Sequence, residues 1–176
     1  YARIALAIES GIHPDLLMLL LPGIDRVSHV IWAGVEPAEL YPERLRASEA
    51  QRAALAEALE AYYVYTDALI GALVGRFGPE DLVLVVSDHG FEAGVQMGFL
   101  TGAHHSEAAS QGVIFARGRG VAGGGGAGAV SVEDVTPTVL ANDTSGGLNT
   151  LVSCVGLDGS ASPDLPQPTR PTARLA

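Results

Sequence analysis

The 176-residue sequence contains no lysine, since all ten of its basic residues are arginine. A Walker phosphate loop, a Schiff-base enzyme and a Ser-x-x-Lys hydrolase each need a lysine amine, so those chemistries are excluded. A single cysteine excludes an internal disulfide, a CxxC redox pair and a multi-cysteine zinc site. Long apolar runs are missing too: Leu16 to Leu21 is closed at once by Pro22-Gly23, far short of the roughly 20 residues a membrane helix requires. Positive charge is scarce. A net charge of −10 argues against a nucleic-acid duplex as partner, because that affinity comes from clustered cations displacing counterions. The start, Tyr1-Ala2-Arg3-Ile4, has no initiator Met, basic n-region or cleavage-site pattern, and reads as cut at its front.

What is present suits one domain. With 48% hydrophobic residues, a chain of this length buries about 70% of its unfolded surface. Asp15 to Leu21 (DLLMLLL) reads as a strand buried on both faces, which implies a parallel sheet. From Pro42 the composition turns helical, and Leu55, Leu59, Tyr62, Thr66, Leu69 and Leu73 recur at spacings of three and four until Gly75 to Gly78. Tyr62, Tyr63 and Tyr65 fit ordinary helix packing. Leu82 to Val86 (LVLVV) reads as a second buried strand and Val113 to Ala116 as a third. Ser131, followed by Glu133 and Asp134, predicts an N-capped helix through Leu140. The fold class is therefore α/β. The seven glycines between Gly118 and Gly128 lack the partners of a phosphate cradle and predict a flexible loop. After Ala141 the composition shifts to Ser, Thr, Gly, Asn and Pro, which predicts a disordered tail over 142–176.

In an open α/β sheet, ligands bind beyond the carboxyl ends of the strands. After the first strand stand Asp25 and His29, four residues apart and so on one side of a helical turn. After the second come Asp88 and His89. Gly102-Ala103-His104-His105 lies before the third. Four of the five histidines fall in these places, and only His13 stands apart. Carboxylates with imidazoles are a ligand set for zinc or manganese in hydrolytic sites. Singly, each residue has a plainer reading: Asp25 as a cap or turn former, His13 and His105 as loop residues, and Ser87 as a turn former without a base to activate it.

Together they are more specific. Asp-x-x-x-His after one buried strand, Ser-Asp-His-Gly after another and Gly-x-His before a third resemble the alkaline phosphatase superfamily, most closely its type I phosphodiesterase/nucleotide pyrophosphatase branch. The resemblance runs from about Ala7 to Ala141 through LPGIDRVSH, the helix around Tyr62 to Asp67, LVLVVSDHGF, GVIFARGRGV and DVTPTVLA. It implies an alkaline-phosphatase-like sheet flanked by helices, incomplete at its N-terminal side. It also implies two divalent metal ions, zinc or else manganese, and a small-molecule substrate with a phosphate ester or phosphoanhydride bond. Asp25, His29 and His104 would hold one ion, with His105 the fallback for His104, and Asp88 and His89 the other. The Asp25/His29 pair disfavours the sulfatases.

The resemblance also places a further metal-binding Asp and a Thr or Ser nucleophile upstream, and nothing in Tyr1 to Ser10 matches them. Residues 1–141 thus read as the C-terminal part of a catalytic domain with little or no turnover alone, and residues 142–176 as a tail outside the family pattern. Two alternatives stand beside this: a noncatalytic binding module that keeps the fold without metal, and a phosphomutase relative, whose inserted domain is not seen between Asp25 and Asp88.

Overall fold

The computed structural model describes residues 1–124, 126, 128–143 and 150–155. In chain order these form α1 (Ala2–Ile12), β1 (Leu16–Leu21), α2 (Gly23–Ile31), α3 (Glu49–Val74), β2 (Leu82–Ser87), β3 (Glu92–Gln96), β4 (Leu100–Ala103), β5 (Val113–Arg117), α4 (Val135–Asp143) and β6 (Thr150–Val155). Among the described residues, no helix is long and apolar enough to cross a membrane.

The main sheet has the order β1-β6-β2-β5. β1, β6 and β2 run parallel, while β5 pairs antiparallel with β2. A parallel sheet is thus correct for three strands only. β5 differs because the chain leaves β2 at Ser87, turns back through the β3–β4 hairpin at the same end, and re-enters with Val113 opposite Ser87. Leu21 and Ser87 both stand level with Val155. With strands about 4.8 Å apart, the two strand ends that precede the Asp/His pairs lie side by side with one strand between them.

Two apolar clusters cover the sheet. On one face Leu17, Leu19, Leu21 and Val83 pack with Ala5 of α1 and Leu73 of α3. On the other, Leu82, Leu84 and Val86 pack with Ile114 and with Val135 and Val139 of α4. β1 is not buried on both faces as its sequence suggests. Among the described residues α4 packs on β2 and borders β6, and Leu16, Met18 and Leu20 of β1 stay exposed while their neighbours are buried.

α3 begins at Glu49, seven residues after Pro42, because Ser48 and Gln51 form a capping box there. Ser48 Oγ accepts from the Gln51 amide and Gln51 Oε1 from the Ser48 amide. Its predicted apolar face is correct: Leu59, Thr66 and Leu73 are buried, and Leu55, Tyr62 and Leu69 are half-buried. Tyr63 and Tyr65 instead face outward. Ser131 opens a 3-10 turn (Val132–Asp134) that leads into α4, its amide donating to Asp134 Oδ2. The predicted tail does not hold over 142–143, the last residues of α4, nor over Thr150–Val155, which are strand β6 at the centre of the sheet. A β-rich run, TLVSCV, supplies the pairing that β1 and β2 need. The rest of that predicted tail, 144–149 and 156–176, and residues 125 and 127 of the glycine-rich loop, lie outside the described residues.

Tyr41 is 2% exposed, and its hydroxyl is buried without a hydrogen-bond partner. Burial, reinforced by Glu36, pushes its pKa up to about 12. An acid whose folded pKa is raised contributes stability that is full below the unfolded value, near 10, and is lost as pH rises toward the folded one. Chemical denaturation between pH 9 and 12 will therefore show a falling stability that Tyr41→Phe partly flattens. In the same assay at neutral pH, Leu84→Ala will cost about 2–5 kcal/mol as a cavity in the core. Met18→Ala, at a residue 63% exposed, will cost within about 0.5 kcal/mol.

Candidate metal centre

The cluster lies at the rim defined by the carboxyl ends of β1 and β2. α2 starts at the residue after Pro22, and it does so closely packed: a Cβ on Gly23 would run into the Tyr62 phenol of α3. Asp25 in its first turn and His29 in its last share one face. Asp88 and His89 follow β2 directly, and His104 follows β4.

These five side chains converge. His29 Nε2 lies 3.4 Å from Asp25 Oδ1, and His89 Nε2 lies 3.8 Å from that same oxygen. His89 Nε2 is also 3.7 Å from Asp88 Oδ1. The His89 and His104 rings stack with centroids 3.9 Å apart. Asp25, His29 and His104 each offer a donor atom within 4.8 Å of the others. Of the remaining histidines, His105 turns outward to Gln96. His13 ends α1 in a left-handed conformation, φ 51°, beside Glu9. Ser87 does what a turn former does, its hydroxyl donating to the His89 carbonyl at 2.8 Å.

Backbone carbonyls orient two of the imidazoles. His29 Nδ1 is 2.9 Å from the Gly102 oxygen, and His89 Nδ1 is 2.9 Å from the Gly90 oxygen. A proton on each Nδ1 makes these hydrogen bonds and leaves the Nε2 lone pairs facing the carboxylates. The separations of 3.4 to 3.8 Å exceed ordinary hydrogen-bond lengths. Accordingly, Asp25 Oδ1, Asp88 Oδ1 and His89 Nε2 are buried without a hydrogen-bond partner. Burial pushes the Asp88 carboxyl above its ordinary range, with His89 pulling in the opposite direction and Asp25 adding to the rise. Buried lone pairs that converge without closing on one another suit a cation held between them.

Sequence reasoning overlooked the parts that hold this arrangement. Phe91 meets His29, His89 and His104 edge-on, at centroid distances of 5.0, 5.5 and 5.8 Å. It forms an apolar wall beside the imidazoles, and an aromatic directly after His-Gly was its only sequence signal. Thr101 Oγ1 accepts from the Ala33 amide and donates to the Val30 carbonyl, tying β4 to the end of α2. A separate apolar groove along α1, lined by Arg3, Ile4, Ala7, Ile8 and Ile12, shares no residue with the cluster.

An α/β sheet with carboxylates and imidazoles gathered beyond its parallel strands has the placement of a ligand- or metal-binding rim. The chain belongs to the type I phosphodiesterase / nucleotide pyrophosphatase family, which it matches over residues 4–133. That span contains all five clustered side chains. No curated protein and no solved structure matches the chain.

Gly102 is a second close approach, between β4 and α2. A Cβ there would sit 2.6 Å from the Ser28 carbonyl oxygen and 3.0 Å from the Phe91 ring. Gly102→Ala must push β4 away from α2, the very approach that lets the Gly102 carbonyl meet His29. Urea denaturation of this variant will show a loss of about 1–3 kcal/mol, typical of overpacking, whereas Gly11→Ala, where no atom lies within 4 Å, will show no loss.

Proposed function

We propose that this chain binds two divalent cations, zinc or manganese, and carries the metal-binding part of an alkaline-phosphatase-like catalytic domain that cleaves phosphate ester or phosphoanhydride bonds of small molecules. The observation that carries the reading is the convergence of Asp25, His29, Asp88, His89 and His104, with two carboxylate oxygens and one imidazole nitrogen buried and without hydrogen bonds. Family membership supports the reaction class.

Asp25, His29 and His104 would hold one ion, and Asp88 and His89 would contribute to the other. When bound, such cations supply charge neutralisation for a transferring phosphoryl group and acidify an attacking hydroxyl or water. The chain's own residues do the rest. The Gly102 and Gly90 carbonyls hold the two imidazoles in the tautomer that presents Nε2. Phe91 keeps water from one side of the rings. The net charge of −10 gives no attraction to a nucleic-acid duplex, which favours a small substrate.

Within this reading, residues 1–141 are the C-terminal part of the catalytic domain, its sheet completed by β6, and residues 142–176 lie outside the family pattern. The uncovered apolar face of Leu16, Met18 and Leu20 supports a domain with further packing partners. The chain as given is then expected to turn over an activated phosphodiester slowly or not at all.

Thermal melts of the 176-residue protein with zinc or manganese test the binding. Occupancy at a hundred times Kd adds about 2.7 kcal/mol, so the melting temperature will rise with added metal. Asp25→Ala will abolish the rise, and lowering the pH will diminish it because the ligands must lose their protons. A melt indifferent to both metals would sink the reading in favour of a noncatalytic module. Brisk hydrolysis that Asp25→Ala leaves unchanged would exclude this cluster as the reacting site.

A further inference from the structure

Two adjacent imidazoles follow β4, and only one joins the cluster. His104 stacks on His89, whereas His105 Nε2 hydrogen-bonds the Gln96 side-chain amide at 2.9 Å on the exposed side. Neither the chemistry of the two side chains nor their order in the sequence makes that choice. The backbone around them does.

Glu92, the first residue of β3, stands opposite Ala103 in the β3–β4 register. Its side chain reaches past His104: Oε1 accepts from the His105 amide at 3.0 Å and from the Ser106 amide at 2.8 Å. Ser106 anchors the following turn in its own right, its Oγ accepting from the Ala109 amide and its carbonyl from the Ser110 amide. His104 is therefore held on both sides, by strand pairing at Ala103 and by one carboxylate oxygen at 105 and 106. Shifting the chain by one residue to bring in His105 would break both carboxylate bonds. The Ser106 hydroxyl and amide also keep the Glu92 carboxyl below its ordinary range, in agreement with a carboxylate committed to these donors.

We propose that Glu92 is the positioning residue that selects His104 over His105 as the third donor beside Asp25 and His29. The proposal rests on the metal-binding reading above. Glu92 acts through the backbone of the loop, by way of the His105 and Ser106 amides.

The test is cobalt(II) titration of the full chain, followed by its visible absorption band, together with amide hydrogen exchange at His105 and Ser106 in metal-free protein. In the native background His104→Ala will weaken cobalt binding at least about tenfold, and His105→Ala will leave it within about twofold. Glu92→Ala will weaken binding by about ten- to a hundredfold, the range for lost outer-shell support. It will also speed exchange at both amides and make binding newly sensitive to His105→Ala. Glu92→Gln keeps an Oε1 acceptor and will restore affinity and exchange protection toward native.

Native-like cobalt affinity and spectrum in Glu92→Ala, with His105→Ala still silent, would overturn the proposal while leaving the site reading intact. Equal losses from His104→Ala and His105→Ala in the native background would overturn it without any Glu92 variant, should Glu92→Ala fail to fold. A native chain that takes up no cobalt, or takes it up equally after Asp25→Ala, would remove the site reading and this proposal with it.

Discussion

β1 and β2 end at the same level of one sheet, held there by β6 between them. Everything at the candidate site depends on that alignment. Asp25 and Asp88 lie four residues and one residue past their strands, so a slip of one residue in either pairing would move a carboxylate by about 3.3 Å and reverse the face of every strand side chain. Parallel pairing also separates the two strands in sequence by the whole length of α2 and α3. The long helix is therefore the link that lets distant segments share one rim, and its Leu73, in one cluster with Leu17, Leu19 and Leu21 of β1 and Val83 of β2, sets where β2 arrives.

A second approach completes the site from the side. The β3–β4 hairpin leans on α2 where a glycine is required, and that contact turns a backbone carbonyl into the orienting partner of His29. The Thr101 hydroxyl bridges a donor and an acceptor at the end of α2, so the hairpin is fastened beside the glycine as well as at it. A hairpin exposed to solvent would otherwise be marginal on its own. Here its fixed position comes from α2, and in return it delivers His104 and the apolar edge of Phe91. Neither element makes the cluster without the other.

Much of this was legible in the sequence, and the parts that were not have physical reasons. LVLVV and the three-four spacing of Leu59, Thr66 and Leu73 carry their periodicity openly, and chemistry placed just beyond apolar runs pointed to the Asp/His pairs. The S-x-x-Q box at Ser48 was also visible, yet helical composition from Pro42 outweighed it. β6 was hidden because TLVSCV sits between Gly- and Pro-rich stretches, and its role comes from non-local pairing with two strands over sixty residues apart, which composition does not encode. The hairpin has no Asn-Gly turn to announce it; its reversal passes through Met97 and Gly98, both at positive φ. The preference for His104 over His105 was legible only through the Gly-x-His position of the family resemblance; the contacts around it, a carboxylate at Glu92 reaching across a strand register, were not.

The unsatisfied atoms at the rim have an energetic consequence. Each buried polar atom without a partner costs about 1–3 kcal/mol, and three of them stand together here. Asp25 is only 7% exposed, so water offers its inner oxygen little relief. A protein of marginal stability, about 5–15 kcal/mol, keeps such an arrangement only if the rest of the fold offsets it. The two apolar clusters on the sheet do so on the α1, α3 and α4 sides, while the partly exposed Leu16, Met18 and Leu20 contribute less among the described residues. Filling the rim with aliphatic side chains of similar volume would be the more stable solution. That the polar solution is present, with lone pairs aimed inward rather than paired off, ties the stability of the rim to whatever neutralises it: under the proposed reading, the lone pairs that cost stability are those a divalent cation would use, so folding strength and cation affinity would be two readings of one arrangement.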